Sequence, residues 1–244
     1  MRWFLVCLVI AGCARAREQN SIVGGITDAR PSGDGDDVPP PDGSTIDAPP
    51  GQVTLTQTAS NAITMNNSFG CVVGGKTLAN SYYRVFTLAD YNVRTTLHIT
   101  SVSFGIQTAA GGGGAATQPA TVNLGTYGAV PQGTMLDLAQ VRSLATMAIQ
   151  IPNGNATAMT VPIAGDVAPT TGVIVELAIP DGSAAGNKFF IGTNTDDERA
   201  PGYTLGPDCG FTTPTSIQSI ADDLNFGPVH MVMTVTGTTS DTPN

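Results

Sequence analysis

Few side chains in this chain could carry chemistry. Its two histidines, His98 and His230, stand far apart in sequence, each inside a strand-like pattern. No Gly-x-Ser-x-Gly elbow and no His-Glu-x-x-His pair occurs. A Ser/His/Asp relay assembled in space would have to recruit His98 or His230 into a cleft beside a nucleophile and an acid. Zinc needs several ligands, and two histidines with scattered acids are a thin supply. Carboxylate pairs for glycoside cleavage can be drawn from Asp137, Asp166, Glu176 and Asp181, but no spacing selects two of them. Both histidines therefore read as strand-face residues. The expectation is a protein that is not an enzyme, with a cryptic hydrolase as a distant alternative.

Two other groups of residues could bind rather than react. The segment Asn194-Thr195-Asp196-Asp197-Glu198 places three consecutive carboxylates beside an amide after a strong strand pattern. Oxygen donors of this kind suit Ca²⁺, a hard cation, and Asp181 and Asn187 in the preceding turn could join them. A structural Ca²⁺ held by Asn194, Asp196, Asp197 and Asp181 is thus the one cofactor the residues suggest, against the plainer reading of a solvated acidic turn. Carbohydrate binding by a β-sheet protein commonly uses flat rings against apolar C–H faces. The single tryptophan, Trp3, lies in the amino-terminal apolar run, so the five tyrosines are the candidates. Tyr82 and Tyr83 are adjacent in a strand pattern, which turns one inward and the other outward. With Tyr203 they form the expected ligand platform.

The amino terminus bears on location. Arg2 precedes the apolar run 3–11, and Gly12-Cys13 closes it. That run is about half the ~20 residues a membrane-spanning helix needs, so it reads as an export signal. The sequence Ile10-Ala11-Gly12-Cys13 resembles the lipobox of bacterial lipoproteins. The resemblance implies cleavage before Cys13, a lipid on Cys13 and attachment to a membrane. Ala14, rather than Asp, resembles lipoproteins sorted to an outer membrane. Residues 1–12 would then be the signal peptide and 13–51 a stalk. The stalk is rich in Pro, Gly and Asp, as in 31–43 (PSGDGDDVPPPDG), and cannot bury enough apolar surface to offset its ordering entropy. Cys7 leaves with the signal. In an exported chain the remaining Cys71 and Cys209 are expected to pair, closing a long loop worth roughly 4–5 kcal/mol in the chain-entropy picture.

Composition narrows the rest. The apolar fraction of 41% allows a real core, while charged residues are 12%, about half the usual ~25%. With 29 glycines and 17 prolines, the profile favours short strands and turns over helical bundles. A net charge of −9 with ten scattered basic residues speaks against nucleic acid, which needs clustered Lys or Arg. Expected partners are the membrane through Cys13 and an unknown protein or polysaccharide.

Alternation of β-formers begins at Gln52. It recurs at 81–88 (SYYRVFTL), 121–127, 136–151, 160–163, 172–179 (GVIVELAI), 188–192 (KFFIG) and 229–235. Leu97-Ile99 and Val102-Phe104-Ile106 alternate in opposite registers, which predicts a bulge near Thr100. Only 215–224 could form a short helix. The pattern predicts an all-β fold: a single jelly-roll-like β-sandwich of about nine to eleven strands over 52–238, after the disordered stalk and before a disordered tail at 239–244. The motifs Tyr82-Tyr83-Arg84-Val85-Phe86, Phe189-Phe190-Ile191-Gly192-Thr193-Asn194, Pro201-Gly202-Tyr203, Asp208-Cys209-Gly210 and His230-Met231-Val232-Met233-Thr234-Val235 are distinctive. They resemble an accessory β-sandwich module found at the C-terminal ends of large secreted bacterial proteins, proteases among them. That resemblance implies a non-catalytic jelly-roll domain, here carried alone on a stalk as a binding or structural module of the cell envelope. A lectin-like module is the alternative.

Overall fold

Alternating β-formers become strands along nearly the whole described chain. The computed structural model describes residues 51–131 and 133–239. The expected signal peptide, Cys13, the stalk and the tail lie outside them, save for the innermost residues Gly51 and Thr239. Those two meet: the Thr239 amide donates to the Gly51 carbonyl at 2.8 Å.

β1 (Gln52–Thr56) opens the fold. The two-residue β2 (Val72–Val73) and β3 (Lys76–Thr77) form a tight pair ahead of β4 (Asn80–Thr87). β5 (Leu97–Ala110) and β6 (Thr117–Tyr127) flank the glycine run at 111–114. β7 (Val141–Pro152) passes through Asn153 into β8 (Gly154–Val167). Next come β9 (Gly172–Ile179), β10 (Lys188–Ile191), β11 (Thr193–Asn194), β12 (Gly202–Gly206) and β13 (Phe211–Ser216). One short helix, α1 (Ile217–Asp223), precedes β14 (His230–Met231) and β15 (Met233–Thr239). The Ser216 side chain caps α1 by accepting from the Ser219 amide.

These strands make an all-β, jelly-roll-like sandwich of antiparallel sheets. One sheet runs β13-β12-β4-β9-β6-β7. The other is centred on β5, which pairs β8 along one edge and β15 followed by β10 along the other, with β1 outside β15. Between the sheets lies the main core, built from inward residues such as Tyr82, Phe86, Val122 and Leu177 on one side and Val102, Phe104, Ile106 and Val235 on the other. The bulge predicted near Thr100 is present: both β8 and β15 shift register between Ile99 and Ser101.

Several elements differ from expectation. The 160–163 run is part of a fourteen-residue strand, β8, whose Thr- and Asn-rich half faces solvent and so lacks the alternation that marks the rest. The 136–151 segment, which by pattern could hold one long or two short strands, holds one, preceded by a 3₁₀ turn at Leu138–Gln140. β12 and β13 carry Gly and Pro and are not marked as strands by pattern; they form by pairing with β4 and with each other.

The expected Cys71–Cys209 disulfide is formed, with Cα atoms 5.7 Å apart and 138 positions between the two residues. It joins the start of the β2 hairpin to the 3₁₀ turn Pro207–Cys209 after β12. Asn80 braces the same spot, accepting from the Cys71 amide at 2.7 Å and donating to its carbonyl at 3.1 Å. Elsewhere three chain segments meet at two glycines. The Gly192 amide donates to the Gly105 carbonyl (2.8 Å) and the Gly105 amide to Val232 (2.9 Å). A Cβ on Gly192 would sit 2.6 Å from Gly105 backbone, so only glycine admits this crossing. It sets Thr193-Asn194 against His230-Met231.

Candidate functional site

Successive residues of β4 point to opposite faces of the six-stranded sheet, and each face gathers a distinct set of polar groups. On the outer face the strand register aligns Tyr203 of β12, Tyr83 of β4, Glu176 of β9, Asn123 of β6 and Thr146 of β7 in one row. Four of these are linked. The Tyr83 hydroxyl donates to Glu176 Oε1 at 2.7 Å, and Asn123 Nδ2 donates to Glu176 Oε2 at 2.8 Å. Thr146 Oγ1 donates to Asn123 Oδ1 at 2.8 Å. Burial and the neighbouring carboxylate both push the Tyr83 hydroxyl up, so it remains the donor. Tyr203 is likewise pushed up to about 12 by burial. A cleft of about 410 Å³ opens over this row, walled by Leu138, Val141, Ser143 and Ile174.

Above the row, toward one end of the strands, the face is roofed. Leu136, from the connection between β6 and β7, packs on Val85, Tyr127, Ile174, Tyr83 and Tyr203 as a second small core. Its amide donates to the Pro214 carbonyl at 2.9 Å, which pins the roof to β13. Toward the other end the face is bare. The next row outward is Leu205, Ser81, Ala178, Thr121 and Ala148. With Ala79, Pro119 and Pro180 they floor a depression of about 470 Å³. Among the residues lining the two cavities Glu176 alone is ionic.

The inner face carries a buried ionic hub. Arg84 is fully buried; its Nη1 donates to Gln57 Oε1 (2.8 Å) and the Ala200 carbonyl (2.7 Å), and its Nη2 to the Met231 carbonyl. Glu198 Oε1 lies 2.7 Å from Nη1 as an ion pair, and its carboxylate is also nearly buried. Arg84 Nε, Asn194 Oδ1 and Glu198 Oε1 have no aligned hydrogen-bond partner among the described residues. Burial raises the Glu198 carboxyl, with Arg84 and His230 opposing that shift; burial lowers Arg84, with Glu198 opposing. Desolvation thus works against both charges, and the pair holds because each has the other. The hub ties β4 to the segment after β1, to the 194–200 loop and to β14.

The acidic loop is built into this hub rather than left around a cation. Asn194 is buried and its Nδ2 donates to the Ser60 carbonyl at 2.8 Å. Asp196 accepts from the Ser60 hydroxyl, and Glu198 faces Arg84. Asp197 donates no carboxylate to a shared point: its backbone carbonyl takes the Ala59 amide at 3.0 Å. Asp181 caps its own turn, accepting from the Ser183 amide at 2.8 Å, which lowers its carboxyl. Asn187 accepts from Gly112 at 2.9 Å. Among the described residues no three His, Cys, Asp or Glu side chains converge as metal ligands do. Asp196 and Glu198 are thus engaged by Ser60 and Arg84, and the sequence holds no local sign of this because those partners come from distant segments.

The tyrosine platform needs correction. Tyr82 and Tyr83 do point to opposite faces, as adjacency requires, but Tyr82, Tyr83 and Tyr203 are all buried. Tyr82 lies in the main core with its hydroxyl on the Phe69 carbonyl at 3.1 Å. Tyr83 and Tyr203 lie under the Leu136 roof, so their rings offer no stacking surface; of the two, Tyr83 lines the cleft. Asn123, Thr146, Ser81, Ala178 and Ala148 were not singled out by type or spacing. Strand register alone assembles them. The histidines do not form a relay. His98 Nδ1 is 2.8 Å from Asp166 as an exposed cross-strand pair. His230 Nδ1 contacts the Asp196 carbonyl, while Ser60 bonds the Asp196 carboxylate and not the imidazole.

No protein-family model and no curated protein matches the chain. A solved structure with partial likeness is that of the cysteine protease and lectin-like domains of Cwp84, a surface layer associated protein of Clostridium difficile. It has 16% identity and a TM-score of 0.44, over 68% of this chain and 33% of that one. The chain therefore spans about a third of the length of that structure. No activity or ligand follows from a likeness at this level.

Proposed function

We propose that this chain is an exported, lipid-tethered, non-catalytic binding module of the bacterial cell envelope, and that the half-roofed outer face of its six-stranded sheet is the surface that binds. One observation carries the reading: the Leu136 roof covers the rings of Tyr83 and Tyr203 and stops there, leaving Glu176, Asn123 and the small-residue floor beside them within reach of solvent. The opposite face of the same sheet is consumed by the core and the Arg84 hub. The Cys71–Cys209 bridge supports an oxidising, exported setting, and Pro207 beside it lines the floor. The lipobox at Cys13 and the stalk supply the tether in this reading.

The test is a photo-cross-linking amino acid placed in the living cell at Ala148 on the bare face, or at Thr160 on the exposed side of β8. Envelope adducts at Ala148 but not at Thr160 are expected. Equal labelling at both sites, or none at Ala148, removes the binding face. For the tether, metabolic labelling with a clickable fatty acid should be lost on Cys13→Ser; retained label would remove the lipidation reading.

A further inference from the structure

Resting on that reading, we infer that the bare face takes a neutral linear glycan lying across the strands, its hydroxyls hydrogen-bonded along the Tyr83–Glu176–Asn123–Thr146 row. The floor sets the shape. Ser81, Ala178, Thr121 and Ala148 occupy one register row over four adjacent strands, with Leu205 of β12 at its end. At ~4.8 Å per strand, the floor from β12 to β7 is about 19 Å long. Side chains this small leave the depression of about 470 Å³ beside the bulkier Tyr83 and Glu176, and a flat ring is the ligand shape that suits such a floor.

Charge and hydrogen bonding select the chemistry. The lining of both cavities contains no cationic side chain, and Glu176 is their one ionic group. An anionic polymer would meet repulsion with no compensating base. Each Glu176 oxygen already accepts one hydrogen bond, yet a carboxylate has about four acceptor sites. Its free lone pairs, with the hydroxyls of Ser81, Thr121, Ser143 and Thr146, match a ligand that both donates and accepts along its length. The Ala and Pro floor matches the apolar C–H flank of a pyranose ring. An extended peptide is a poorer fit: peptides gain affinity on a sheet by adding to an edge through main-chain hydrogen bonds. Here the ligand lies on a face whose interior backbone groups are already paired strand to strand.

The experiment uses the full-length protein in a detergent without a sugar headgroup. It is titrated calorimetrically with neutral gluco-, manno-, galacto- and N-acetylglucosamine oligomers, from disaccharide upward. One series should bind with affinity that rises with length and levels off once the oligomer spans the floor. Ala178→Trp, which fills the floor, should abolish binding, with Ala148→Trp as the second block should the first fail to fold. Glu176→Gln should weaken binding roughly tenfold, the equivalent of about 1.4 kcal/mol. Binding unchanged in the folded Trp variants, or no binding by any oligomer, overturns the glycan. The Ala148 cross-link separates the two failures. Adducts digested by protease but resistant to periodate leave the binding face and remove the glycan, whereas absence of adducts removes both.

Discussion

Two glutamates flank β4 and meet opposite fates. Glu176 lies on the outer face, partly exposed, with both oxygens hydrogen-bonded by Tyr83 and Asn123. Glu198 reaches the inner face, where it is nearly buried against Arg84. Tyr83 and Arg84 are consecutive residues, so one strand position separates a carboxylate held for contact with solvent from one locked into the core. The difference lies in what each would do if its partner were removed. Glu176 could turn to water. Arg84 without Glu198 would be a buried cation with no counter-charge, and buried ion pairs are far costlier to break than they are helpful to form.

The largest effect should therefore come from Glu198→Ala. Urea denaturation should show a loss of about 3–5 kcal/mol, while Glu176→Ala should lose no more than about 1 kcal/mol. Arg84→Met should also destabilise strongly, because Gln57 and the Ala200 and Met231 carbonyls lose their donor. The double variant should be less destabilised than the sum of the singles, since each single leaves a buried charge that the double removes. Equal losses at Glu198 and Glu176 would break the comparison.

How much of this was legible depends on the range of the interactions. Within a strand, alternation is local, and it gave the two faces of 81–88, the even register of Val102-Phe104-Ile106 and the bulge at Thr100. The cysteines paired as export chemistry implies. Both polar clusters, by contrast, are assembled across strands distant in sequence. Arg84 sits inside a run that reads as an ordinary strand, and nothing local marks it as buried or names Glu198 as its partner. The acidic run at 196–198 looked like a solvent-facing cluster because its donors, Ser60 and Arg84, come from β1's exit and from β4. Adjacency set Tyr82 and Tyr83 on opposite faces without saying which faces outward, and the Leu136 roof that buries the Tyr83 ring is a loop, whose packing leaves no periodic trace. Small residues such as Ala178 and Ala148 carry no signal of function at all until register lines them up.

Alkaline titration sharpens the comparison at intermediate scale. All five tyrosines are held above their ordinary value of 10 chiefly by burial, Tyr91 and Tyr203 to about 12. Their folded values exceed their unfolded ones, so the unfolded chain releases protons first as pH rises past 10. This stabilisation is fully present below pH 10 and is lost as pH climbs through about 12. Tyrosinate absorbance should stay low in the folded protein at pH 10–11 and then appear with unfolding. If Tyr83 or Tyr203 titrated near 10 without unfolding, the roof over their rings would be open.

The smallest effect separates the row from a second core. Tyr83→Phe keeps the ring among Val85, Ile174 and Leu136 and removes one donor to Glu176. Because Glu176 keeps access to water, the loss should be about 1 kcal/mol by urea denaturation, with an unchanged dependence on urea concentration. The Asn123 side-chain amide should shift in NMR spectra, since its acceptor loses the neighbour that orients it. A loss above about 3 kcal/mol would instead place Glu176 in the same class as Glu198. The row would then be a closed polar network serving the fold, and the open cleft beside it would owe its polarity to Ser143 alone.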